Sequence, residues 1–198
     1  MVDPNTVLFS LPTISDDIPP QAQNVERPQP SDLVMHEDDW SQVEFFPGDQ
    51  LAEVKRLLEE YKSFESAHRA QHGWKKIYIR KVARHPVIAA PEAVEQLEKL
   101  LGFPIGPAPL LTPDASTARR VSSGFTVSLG GNVTLYGHQN SAGIEVLGAS
   151  LGHDPDHTKL VQAFMKLNLS ADLILVDWLQ QLVLTSVNAS GKIEVWRP

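Results

Sequence analysis

The amino-acid sequence predicts an α+β fold, a mainly antiparallel sheet with about three helices preceded by a proline-rich N-terminal arm. Helical stretches with one apolar stripe are scattered among strand-like runs. Between Gly124 and Leu147 three strand-like runs follow one another with glycine turns and no helix between them. The opening stretch carries Pro4, Pro12, Pro19, Pro20, Pro28 and Pro30. Strands joined by tight turns pair antiparallel, whereas a doubly wound sheet needs a helix between successive strands.

The prolines lie among Asp, Gln, Asn and Ser, which removes ladder donors and favours extended or disordered backbone over residues 1–30. Residues 31–198 are read as one α+β domain. Within the arm, Val7, Leu8, Phe9, Leu11 and Ile14 form an apolar patch suited to docking on the body or on a partner. Asp32–His36 and Gln42–Phe46 read as short strands around the acidic turn Glu37, Asp38, Asp39. After Pro47-Gly48-Asp49, apolar residues at 51, 54, 57, 58, 61 and 64 predict a helix over residues 50–71, capped by Asp49 and stopped by Gly73.

Trp74–Val82 alternates as a strand with Ile77 and Ile79 inward and Lys76, Tyr78 and Arg80 in solvent. A second helix opens at Pro91 and runs to Gly102. Residues 102–120, with four prolines and the small residues Ala115, Ser116 and Thr117, read as a long connection and a candidate binding loop. The meander from Gly124 to Leu147 turns at Gly130-Gly131, and a third helix spans residues 156–167 behind Asp154 and Pro155. Leu173–Val176, Leu182–Val187 and Ile193–Trp196 close the chain as strands.

Composition narrows function. With 17 Lys and Arg against 24 Asp and Glu the net charge is -7, which opposes phosphate attraction and suits a basic protein partner over nucleic acid. The absence of Cys excludes disulfides, thiolate metal sites and cysteine nucleophiles. The N-terminus lacks a basic stretch followed by a long apolar one, and no run reaches the length of a membrane span, so no membrane association and a cytoplasmic home are expected. The many glycines separate strands instead of leading into a helix, so neither a phosphate loop nor a dinucleotide fingerprint is present and no cofactor is expected.

Three strings carry candidate chemistry. Glu37, Asp38, Asp39 and Trp40 pair an acidic turn with an aromatic anchor, the pattern of an interface, and Phe9 adds an apolar contact from the arm. His153, Asp156 and His157 offer imidazoles and a carboxylate to a divalent metal, although Asp154 and Asp156 equally suit helix capping. Gly148-Ala149-Ser150-Leu151-Gly152 matches the Gly-x-Ser-x-Gly pattern, making Ser150 a candidate nucleophile, but no His follows His157 to complete the usual order. Lys75, Lys76, Arg80, Lys81 and Arg84 form a basic cluster, read as an exposed strand face.

These features favour a non-catalytic cytosolic protein-binding module, an acidic inhibitor or bacterial toxin-neutralising protein of the immunity type. A hydrolase is the alternative, metal-assisted through His153 and His157 or with Ser150 as nucleophile. An assembly subunit, in which the arm of one copy packs on another, is the third possibility.

Overall fold

The computed structural model describes residues 8–114 and 117–198. In chain order the first elements are β1 (Thr13–Ser15), β2 (Gln21–Val25), β3 (Val34–His36), β4 (Val43–Pro47), α1 (Leu51–His68), β5 (Arg69–Ala70), β6 (Gly73–Trp74) and β7 (Tyr78–Arg80). Then come α2 (Ala93–Leu101), β8 (Ile105–Gly106), β9 (Leu110–Asp114), β10 (Thr117–Val121), β11 (Gly124–Gly130), β12 (Val133–Asn140) and β13 (Gly143–Leu151). The last are α3 (His157–Ala171), β14 (Leu173–Asp177), β15 (Leu182–Val187) and β16 (Ile193–Trp196). The fold is α+β, with three α-helices and a large antiparallel sheet among the described residues.

That sheet has eight strands in the order β16-β15-β14-β4-β13-β12-β11-β8. Its strands alternate faces at every residue. Val43, Phe45, Leu173 and Leu175 point to one face, where Leu97 and Leu101 of α2 and Phe164 and Leu167 of α3 cover them. Phe46, Ile174 and Val176 point to the other, against Val54, Leu57, Leu58 and Tyr61 of α1. Further along that second face, Tyr136 and Val146 are covered by Met35, Leu111 and Val121 of a four-stranded sheet ordered β2-β10-β9-β3. Each such large side chain removed from water contributes about 1.5–3 kcal/mol.

Local signals explain the helices. In α1, Arg56 pairs with Glu53 and Glu60 on the solvent side, while the apolar stripe turns inward. Asp49 lies in a single 3-10 turn ahead of α1, and no side chain caps that helix. Gly102 ends α2 at φ 79°, a conformation that favours glycine. Asp156, not Asp154, caps α3, accepting from Thr158 N at 3.0 Å.

Two expectations are corrected. The connection over residues 102–120 is mostly strand: β8 joins the main sheet and β9 pairs with β10, while Ala115 and Ser116 lie outside the described residues. Pro109 and Pro113 are accommodated because Pro109 offers only its carbonyl, which accepts from Val121 N at 3.0 Å, and Pro113 is near the end of a strand. The arm, from residue 8 onward, lies against the body. β1 pairs in parallel with β7, β2 pairs antiparallel with β10, and Phe9 exchanges two main-chain bonds with Trp74. Pro4 and Val7 lie outside the described residues. The second correction is the phase of β7. Ile79 is half exposed and Arg80 is buried at 1% exposure, because Tyr78 stacks on Tyr61 and carries residue 80 inward with it.

Candidate functional site

The main sheet is open at one place. On its outer side β4 pairs with β14 through five consecutive residue pairs, and β13 follows β12 along its whole length. Between them, β4 and β13 share the single pair Gly148 and Glu44. Beyond it the strands part.

The parting has a local cause. The Tyr136 ring crosses Gly148, where a Cβ would lie 2.5 Å from the ring, and its hydroxyl accepts from Ser41 N at 2.9 Å. Ser41 has φ 58°, a left-handed conformation that is strained for serine, and its carbonyl accepts from Arg80 at 2.8 Å. Ser41, just before β4, is thus held from both sides.

The resulting cleft encloses about 390 Å³. Gln42 and Val43 form one wall, and Ala149, Ser150 and Leu151 the other. Val34 and Met35 of β3 border it, as do Asp39, Asp177, Leu179 and Gln180. None of these lining residues is basic. Two apolar side chains stay in solvent beside it, Val34 at 44% and Leu179 at 41% exposure. Gln42 is fixed as wall, its amide donating to the carbonyls of Thr13 (2.9 Å) and Asp38 (2.6 Å).

Asp177 ends β14 and accepts from Gln180 N at 2.8 Å. Burial raises its carboxyl above the ordinary range, against the opposing pull of those main-chain bonds and, more weakly, of Arg197 and His157. Asp39 ends the 3-10 turn Glu37–Asp39 and is exposed. The cleft therefore presents two carboxyl groups in a lining of mixed polar and apolar side chains.

Only part of the sequence-predicted site comes together here. Asp39 and Ser150 line the cleft. Glu37 is engaged elsewhere, accepting from Gln21 of the arm at 2.9 Å, and Asp38 lies beside His36. Trp40 is corrected as an exposed anchor: it is 1% exposed, with its ring 4.7 Å from that of Tyr136 in the core. Phe9 is exposed but sits against Trp74, apart from the acidic turn's role in the cleft.

Ser150 lies in strand β13 opposite Thr134, not on a sharp strand-to-helix turn, and no imidazole lines its cleft. His138 is on β12, buried between Trp40 and Glu145, and burial lowers its pKa. His153, Asp156 and His157 are exposed at the approach to α3, and Asp156 is held low in pKa by its bonds from Thr158. Among the described residues no three His, Asp or Glu side chains are placed to hold a metal ion.

The basic cluster is corrected in part: Lys75, Lys76 and Lys81 are exposed as expected, and Arg80 and Arg84 are not. Arg80 bonds Thr13 (3.0 Å) and Gln42 (3.3 Å) inside the protein and lies over the Trp178 ring at 4.9 Å. Arg84 pairs with buried Glu44 and with Asp17 of the arm, both at 2.7 Å. Burial lowers the Arg80 pKa to about 10, so it remains charged at neutral pH.

Sequence reasoning missed Asp177, Leu179 and Val34. Asp177 had a signal: a carboxylate directly after the apolar run Leu173–Val176 and before a tryptophan. Among the described residues no helix is long and apolar enough to cross a membrane. No protein-family model, curated protein or solved structure matches this chain.

Proposed function

We propose that the chain is a non-catalytic protein-binding module of the inhibitory type, which receives a basic side chain of a protein partner in the cleft between β4 and β13. The observation that carries this reading is the lining: Asp39 and Asp177 with no basic residue among them, flanked by exposed Val34 and Leu179. A cleft of this volume holds one long side chain, and clefts of ~300–1,000 Å³ are usual for small ligands. Carboxylates at such a site select a cation, and the exposed apolar pair supplies contact area around it.

The raised carboxyl of Asp177 supports the same reading, since ionised groups kept in unfavourable surroundings cluster at working sites. The acidic balance of the chain would speed encounter with a basic partner. A toxin-neutralising role in the cytoplasm is the concrete form of this proposal.

The test titrates the isotope-labelled chain with acetyl-arginine amide and with its neutral isostere, acetyl-citrulline amide, following main-chain NMR signals. The arginine compound should shift Asp39, Ser150 and Gln180, the citrulline compound should not, and the double variant Asp39→Asn, Asp177→Asn should weaken binding at least about tenfold. Equal responses to the two compounds would remove the reading. Stoichiometric labelling of Ser150 by a serine-directed phosphonate would favour the hydrolase alternative instead.

A further inference from the structure

The strand bordering the cleft is a free sheet edge. β3 is the last strand of the four-stranded sheet, paired with β9 on one side, and among the described residues no strand pairs its other side. Leu110 N donates to Leu33 O at 2.8 Å, and Val34 stands opposite Leu110 in the ladder. In a parallel pair, alternate residues of a strand turn their main-chain groups toward the partner. Leu33 and Met35 therefore face β9, and the amide and carbonyl of Val34 face outward.

Open edges are blunted by shortness, lysine, proline or a cover, and of these β3 has only its three-residue length. β3 is Val34-Met35-His36, with neither lysine nor proline, and Val34 leaves nearly half its side chain in solvent. Val34 and Met35 are also cleft residues. A main-chain docking edge, an apolar shelf and an acidic opening thus lie side by side.

We infer that the partner supplies an extended segment, which adds to the open edge of β3 as a further strand and turns one Lys or Arg side chain into the cleft. The inference rests on the basic-cleft reading above and specifies the conformation of what binds. An added strand draws affinity from main-chain hydrogen bonds and specificity from alternate side chains. Here one side chain of an alternating segment meets Asp39 and Asp177, and its apolar neighbours meet Val34 and Leu179.

The experiment uses the full chain and a blocked five-residue peptide with arginine at its centre between two valines. Two analogues are compared with it, one N-methylated at the arginine and the other at both valines. A strand offers only one edge to its neighbour, so one analogue should lose about tenfold in affinity, the scale of one or two main-chain bonds, while the other stays within about threefold of the parent. The Val34 and Asp39 signals should move together on binding the parent peptide.

Equal affinity of all three peptides, or equal loss in both analogues, would overturn the strand-addition inference. If acetyl-arginine amide still depends on Asp39 and Asp177 in that case, the basic-cleft reading stands without it. If neither the amide nor any peptide binds, both fall.

Discussion

Burial raises the Asp177 carboxyl, so the folded chain holds this proton more tightly than the unfolded chain, whose Asp titrates near 3.9. The folded state then binds more protons through that window, and stability falls as pH rises from the unfolded value through the folded one. The penalty grows as the carboxyl ionises and is complete above the folded value. Asp177→Asn should therefore raise Tm at pH 7, with the gain shrinking as the pH is taken below about 4, read by calorimetry across the range. His138 has the opposite sign: burial lowers its pKa, so stability is lost as pH falls below about 6.5, and His138→Gln should flatten that acid loss. Gly148 tests the serine motif. Its hydrogen is needed where Tyr136 crosses the strand, so Gly148→Ala should cost about 1–3 kcal/mol in urea unfolding through overpacking. A glycine serving only a nucleophile turn would leave stability unchanged.

At the scale of elements, the arm is part of the buried polar network beneath it. Thr13 of β1 donates to Tyr78 O and accepts from Arg80, and Asp17 accepts from Arg84, whose other partner is buried Glu44. Glu44 in turn accepts from the Trp178 indole at 2.9 Å. Removing the arm takes one carboxylate and one hydroxyl from two guanidinium groups and uncovers Arg80. A chain beginning at Ser31 should unfold at a lower urea midpoint, because Arg80 loses a buried hydroxyl acceptor, about 1–3 kcal/mol, while Arg84 keeps Glu44. Hydrogen exchange should rise at Tyr78–Arg80, the strand left without its neighbour. An arm that merely rests on the surface would leave both measurements unchanged.

At the scale of the molecule, the order of the main sheet places β4 between β13 and β14, which the chain reaches about a hundred residues later. Such pairing closes a long loop before it gains any contact, so folding should occur on the millisecond-to-second scale in stopped flow. The meander β11-β12-β13 is local and has no such cost. Val127→Ala should therefore slow folding, while Phe45→Ala in β4 should chiefly accelerate unfolding. A folding rate equally sensitive to both would place β4 in the nucleus and contradict this order of events.

The α+β class, the three helices and the meander are legible in the sequence because their determinants are local: the stripe from Leu51 to Phe64, the glycine after Leu101, the turn at Gly130-Gly131. Asp39 and Ser150 were legible as chemistry but not as neighbours. Trp40 and Arg80 were misplaced for one shared reason: each is defined by what covers it, and the cover comes from distant residues, Tyr136 for Trp40 and Thr13 for Arg80. Alternation in Trp74–Val82 marks two faces and does not say which is inward; the stacking of Tyr78 on Tyr61 decides that. The cleft lies at the far end of this scale. It exists because two strands, brought together by the whole sheet, share one pair and then separate. Local sequence determines which segments coil or extend, and only tertiary packing decides where a sheet stays open.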